Sequence, residues 1–205
     1  HYPKIIEDEK IDPISRPEIS ITKLARKNPL EFKIKTAILP EIKLPDYKNI
    51  AKKIISEITD VEKNLEKENE AKGKTRLKII EKIIEDSVLE IPEILIEMEL
   101  DKILYRMESD ITAMGLKFED YLKQLNKTKE NLRSEFRTES EKMAKLALIL
   151  NKMAKVEKIA AAEEQVAKEV AVILEHYKDA DPERARMHVE NILTNEKIFQ
   201  FLETQ

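Results

Sequence analysis

Glycine is nearly absent from this chain: Gly73 and Gly115 are the two found among 205 residues. A phosphate-cradling loop or a dinucleotide-binding turn needs glycine where φ is positive or where backbone must approach a ligand. Two isolated glycines cannot build either one. P-loop and Rossmann chemistry is therefore excluded, and tight-turned barrels are disfavoured with it. Charged residues make up 38% of the chain and hydrophobic residues 41%, against about 25% and 45–50% in ordinary domains. Such a surplus of charge needs solvated surface, which favours thin helical layers or protruding arms over a thick-cored enzyme.

Other function classes fall on simple counts. Cysteine is absent, so there is no disulfide framework, thiol nucleophile or thiolate metal site, which fits a reducing compartment. With 37 basic and 41 acidic residues the net charge is −4, the wrong sign for a general nucleic-acid binder. The longest apolar runs, Leu146 to Leu150 and Val170 to Leu174, are far short of the roughly 20 residues a membrane span needs. The chain opens His1-Tyr2-Pro3 without Met. That reads as a cut end, and any targeting segment is expected to lie outside it.

Six of the eight prolines precede Asp46, where the pattern changes. Before it, Ile19-Ser20-Ile21 and the run Leu30 to Ile38 alternate, with Leu30, Phe32, Ile34 and Ile38 on one face. This predicts two strands with a half-buried face, joined through Lys23 to Pro29 as a loose hairpin. Two strands are marginal alone, so residues 1–50 read as an extended strap packed on a body formed by residues 51–205.

From Asp46 onward the chain reads as helix. Thr59-Asp60-Val61-Glu62 matches a capping box, opening a helix to about Leu89 with Leu77, Ile80, Ile83 and Ile84 on its apolar face. Ile91-Pro92 ends it, and Pro92 suits the first turn of the next helix. That helix carries Leu100, Leu104, Met107, Ile111 and Met114 and should stop at Gly115 in a left-handed cap. A short helix spans Phe118 to Leu125. Thr128 caps a longer one reaching about Glu157, Val166 to Tyr177 mark another, and Asp181-Pro182 opens the last through Leu202. Ala161 and Ala162 offer the Glu163 helix no side-chain cap.

These segments carry a family resemblance. The stretch Glu90-Ile91-Pro92-Glu93-Ile94-Leu95-Ile96-Glu97-Met98-Glu99-Leu100-Asp101 is similar to the start of the C-terminal domain of trigger factor, the bacterial ribosome-associated chaperone. Met114-Gly115-Leu116 with Tyr121-Leu122, then Lys127-Thr128 with Leu132-Arg133, resemble its next turn and helix start. Leu148-Ile149-Leu150, Glu157-Lys158-Ile159 and Glu163-Glu164 follow in the family's order. Ile11-Asp12-Pro13 to Ile19 and Leu39-Pro40-Glu41 to Tyr47 resemble its linker. The resemblance covers nearly the whole chain, and the order of motifs makes it specific.

It also has gaps. The family's ribosome-binding loop, Gly-Phe-Arg-x-Gly-Lys-x-Pro, does not occur in this sequence. Its FKBP-like prolyl isomerase domain should lie between Tyr47 and Leu77, where far too little chain stands and what is there reads as helix. The junction is expected between about residues 53 and 59.

Acidic clusters such as Glu97/Glu99/Asp101, Glu139/Glu141 and Glu163/Glu164 do acid–base work only in a cleft that shifts their pKa values. On charge-rich amphipathic helices they read as solvated faces. His176, Asp179, Asp181 and His188 match no standard metal-ligand spacing, and no metal or cofactor is expected. Lys63 to Lys82, interleaved with glutamates, reads as a salt-bridged exposed helix.

The resemblance implies a mainly α fold of the trigger factor C-terminal and SurA-like kind, an elongated multi-helix body with helical arms and a small N-terminal β-containing strap. It implies an ATP-independent chaperone, a holdase that takes unfolded or nascent polypeptides into an apolar-patched cradle, and no enzyme. Ribosome contact would need a domain missing from this chain. Neither nucleic acid nor membrane is an expected partner, weak self-association is compatible with the reading, and the implied location is cytoplasmic. Met107, Met114, Tyr121, Ile173, Tyr177, Met187 and Val189, near helix ends and turns, are the candidate client contacts, each weighed against ordinary core packing. The rival reading is a structural helical adaptor that binds one folded partner.

Overall fold

The computed structural model describes residues 2–23, 31–59 and 68–205. Its elements in order are α1 (Tyr2–Asp8), β1 (Glu18–Lys23), β2 (Glu31–Lys35), α2 (Tyr47–Thr59), α3 (Glu68–Asp86), α4 (Glu93–Ala113), α5 (Phe118–Gln124), α6 (Lys129–Glu157), α7 (Glu163–His176) and α8 (Pro182–Glu203). The fold is mainly α with a two-stranded antiparallel sheet. The chain forms two compact units, His1–Glu41 with Leu89–Ala144 and Ile42–Val88 with Lys145–Gln205. The Thr59–Glu62 capping box, Leu30 and most of the expected Lys23–Pro29 connection lie outside the described residues.

In the first unit, β1 and β2 pair with Ile19 opposite Ile34 and Ile21 opposite Phe32. These four share one face, as alternation requires. The expected half-buried face is nevertheless open: Ile19 and Ile21 are more than half exposed, Phe32 is exposed, and only Ile34 is half-buried. The second strand also stops at Lys35 rather than Ile38. Thr36 and Ala37 turn to Ser15, which accepts the Ala37 amide at 2.9 Å, and Ile38 bridges Pro13.

The helical part of this unit packs Leu104, Ile111, Phe118, Leu122 and Leu132 together, with Met107, Tyr121 and Phe136 against them. Local chemistry sets the ends. Pro92 is the N-cap of α4, one position before the expected one. Gly115 has φ +79°, and its amide bonds the Thr112 carbonyl while the Leu116 amide bonds that of Ile111. This is a Schellman cap. Asn126 repeats it after α5 at φ 52°, and Lys158 after α6, at φ 55°, lets the Ile159 amide reach the Ala154 carbonyl. Thr128 and Asn131 cap α6 reciprocally: the Asn131 amide donates to Thr128 Oγ1 and the Thr128 amide to Asn131 Oδ1.

In the second unit α2 packs on α3 and α8, and α7 on α8. Tyr47, Ala51, Ile79, Ile80, Ile83, Leu148, Ile149, Met153, Val166, Ile198 and Leu202 are buried. Leu77, expected on the apolar face of α3, is exposed. The buried stripe runs through Ile79, Ile80 and Ile83, which turns Leu77 off it. Asp181 accepts the Arg184 amide at 3.0 Å, as the N-cap of α8 should. No side chain caps Ala162 at the start of α7, but Thr194 Oγ1 accepts the neighbouring Ala161 amide.

Candidate functional site

The seven candidate contacts divide sharply. Met114, at the C-cap of α4, is 78% exposed, and Leu116 beyond the Gly115 turn is half exposed. Tyr177 caps α7 and is 69% exposed, while Met187 on α8 is 58% exposed. Met107 and Tyr121 are half-buried members of the first unit's core, with the Tyr121 ring stacked on Phe118 at 6.5 Å. Ile173 is half-buried. Val189 is 4% exposed. It belongs to the packed side of α8 with Ala185, one turn away, and a side chain with no surface cannot hold a client.

One surface escaped the sequence reading. Ile94, Met98 and Tyr105 are exposed, Tyr105 to 77%. At 100° per residue they fall within about 40° of one another on α4, along a stripe about 16 Å long. The buried residues Ile96, Leu100, Leu104 and Ile111 take a different face. The signal was present in the i, i+4, i+11 spacing, masked by the denser stripe beside it. Val172 and Ile192 also stand open on α7 and α8.

Charge around these surfaces is tied up in ladders. Arg133 binds both Glu97 and Asp101, the latter at 2.6 Å, and Arg137 binds Glu93 at 2.6 Å and Glu97 at 3.4 Å. Glu99 holds Lys102 and Glu163 holds Arg186, each at 2.6 Å. The guanidiniums of Arg137 and Arg186, hydrogen-bonded to them, keep Glu93 and Glu163 below the usual carboxylate range. A general acid needs the opposite shift, so Glu93 and Glu163 act here as ion-pair partners that fasten helices. His176 Nδ1 lies 2.9 Å from the Val172 carbonyl. Among the described residues no three His, Asp or Glu side chains gather where a metal could sit. No helix among them is long and apolar enough to cross a membrane.

An open cleft of about 490 Å³ lies in the second unit, lined by Lys158, Ile159, Ala160, Lys197 and Phe201 among others. Lys197 Nζ donates to the Ala160 carbonyl across it.

Comparison with known proteins places this arrangement. The family model described as bacterial trigger factor protein (TF) C-terminus matches residues 58–203, and the model described as bacterial trigger factor protein (TF) matches residues 1–70. Trigger factor of Pelotomaculum thermopropionicum is 33% identical over 60% of this chain and 28% of its own length. Those of Caldicellulosiruptor bescii and a Geobacillus species are each 29% identical, over 78% and 83% of this chain. This chain spans 39% and 42% of those two relatives. A solved structure from work on promiscuous substrate recognition by the trigger factor chaperone shares 16% identity, with a TM-score of 0.41 over 92% of this chain and 50% of that one. Since the C-terminal family model alone accounts for most of its residues, the chain belongs to the bacterial trigger factor family.

Proposed function

We propose that this chain is an ATP-independent holdase for unfolded or nascent polypeptides. The observation that carries the reading is the set of apolar side chains left open on helices of a trigger factor family member: Met114 and Leu116 at one helix end, Tyr177 and Met187 at α7 and α8, and the α4 stripe. Met107, Tyr121 and Ile173, half-buried, offer a client only part of their surface, and Val189, buried, offers none. Burying one Leu-sized side chain contributes roughly 1.5–3 kcal/mol. A few such contacts reach micromolar affinity, near −8 kcal/mol, after ordering costs are subtracted. Methionine suits varied clients because its unbranched thioether adapts its shape.

The same reading has finer parts. Residues 1–50 act as a strap on a helical domain of residues 51–205. The chain has no prolyl isomerase activity of its own, and ribosome contact falls to a signature loop this sequence lacks. Its clients are those of the bacterial cytoplasm. Suppression of aggregation of several unrelated heat-denatured proteins, without nucleotide, is the deciding assay. Tyr177→Ser combined with Met187→Ser should weaken suppression several-fold while circular dichroism stays unchanged, since both side chains are exposed. Tight capture of one folded protein with no effect on any denatured client would instead favour an adaptor.

A further inference from the structure

The exposed stripe of α4 has a carboxylate in its middle. Asp101 follows Met98 by three positions and precedes Tyr105 by four, so on the helix surface it adjoins both. Its side chain is 68% exposed. Glu97 stands in the same relation to Ile94 before it and Asp101 after it. A polypeptide segment laid along Ile94, Met98 and Tyr105 therefore covers Asp101 and takes water from it. A bare carboxylate resists that, because a charge removed from water without a partner is costly.

Arg133 of α6 supplies the partner. Its guanidinium donates through Nη1 to Asp101 at 2.6 Å and through Nη2 to Glu97. Arg137, one turn further on, holds Glu93 at 2.6 Å and reaches Glu97 at 3.4 Å. Glu97 thus has a second cation, whereas Asp101 has Arg133 alone among the described residues. The Arg133 side chain is only 33% exposed and is held by two acids. It stands in position before a client arrives, so the pairing adds no ordering cost when the stripe is covered.

We infer that Arg133 sets the charge specificity of the α4 stripe. By pairing with Asp101 it lets the stripe take client segments of either charge, where a bare carboxylate admits basic segments and turns acidic ones away. The inference rests on the holdase reading, since it concerns which clients that surface accepts. Arg133 acts here through Asp101, in addition to fastening α4 to α6.

The test uses the full chain and two labelled peptides with the same apolar residues, one carrying Lys and the other Glu between them. Titrations followed through the amide resonances of residues 94–105 give the affinity at the stripe itself. Arg133→Gln should shift the ratio of the two affinities about fourfold or more toward the Lys peptide. One exposed charge changes each affinity about two- to five-fold, in opposite directions for the two peptides. Arg133→Lys, which keeps the charge, should hold the ratio within about twofold of the unaltered chain. Asp101→Asn should shift it toward the Glu peptide, and combined with Arg133→Gln should bring it back. Raised salt should shrink each shift. A role confined to fastening the helices would lower both affinities together and leave the ratio alone. Asp101→Asn keeps Arg133 on Glu97, so it checks the point even where Arg133→Gln weakens the fold. An unchanged ratio in both single variants, with the 94–105 amides still moved by peptide, would overturn this inference alone. Peptides that bind without moving those amides would overturn the stripe as a client surface, and the inference with it. Binding of neither peptide would overturn the holdase reading itself.

Discussion

The Tyr47 hydroxyl at the start of α2 donates to the Glu157 carboxylate, the last residue of α6, across 110 positions of sequence. Lys48 Nζ holds the same carboxylate at 2.9 Å. Burial first, and then the hydrogen bond and charge of Glu157, push the Tyr47 phenol up to about 12. Those same two partners, Tyr47 before Lys48, hold Glu157 below its ordinary range. The cluster joins the two stretches of sequence that make up the second unit.

Tyr47→Phe should therefore cost about 1.5–2 kcal/mol, the lower part of the range for hydrogen bonds to charged groups, because Lys48 still partners Glu157. The pH dependence has two limits. Glu157 has a lowered folded pKa, so its contribution is full above the ordinary glutamate range and is lost as pH falls through the folded value. Tyr47 has a raised one, so its contribution is full below about pH 10 and disappears as pH rises through about 12. Urea melts of both proteins across pH should show a constant difference from about pH 5 to 10 that shrinks on either side. A difference independent of pH would mean that Tyr47 acts through packing alone.

Arg76 on α3 reaches two carboxylates of α8, Glu196 through two nitrogens at 2.9 and 3.0 Å and Glu203 at 2.5 and 3.1 Å. Its guanidinium also lies 5.6 Å from the Phe199 ring centre. A planar fork offers several nitrogens, so it can give each acid paired hydrogen bonds, which the single nitrogen of an ammonium cannot. Arg76→Lys should lower stability by about 1 kcal/mol and Arg76→Ala by about 2–3 kcal/mol, since alanine leaves two carboxylates facing each other without a cation. Thermal melts at low and high salt check this: the Arg76→Ala deficit should narrow with salt.

Ser140 is fully buried in α6, and among the described residues its hydroxyl has no hydrogen-bond partner. A buried polar group without a partner costs about 1–3 kcal/mol, and alanine is also the better helix former. Ser140→Ala should raise stability by about 1 kcal/mol. A loss of stability in chemical denaturation would show that the hydroxyl is satisfied in solution.

Residues 47–59 and 68–86 are helical in this chain, and the proposed function includes no prolyl isomerase activity. A protease-coupled assay on a proline-containing tetrapeptide should run at the uncatalysed rate. Saturable acceleration at micromolar chain would locate an isomerase site on another surface.

Helix boundaries from α4 onward were legible in the residues because caps are local chemistry. Gly115 takes the left-handed position, Thr128 and Asp181 supply oxygens to free amides, and each needs partners only a few residues away. The family was legible for a related reason, since its motifs are short stretches whose order along the chain survives in sequence. Exposure was not legible. Met187 and Val189 are both apolar, two residues apart on one helix, yet one is open and the other buried. Which flank of α8 meets α7 and α2 depends on contacts with distant segments, and periodicity cannot choose between two apolar flanks. The hairpin followed the same division. Alternation determined which residues of β1 and β2 share a face, because successive side chains of a strand must point oppositely. Whether that face is covered was decided by the tertiary structure, because burial depends on what the rest of the chain brings near it, and here it stays open.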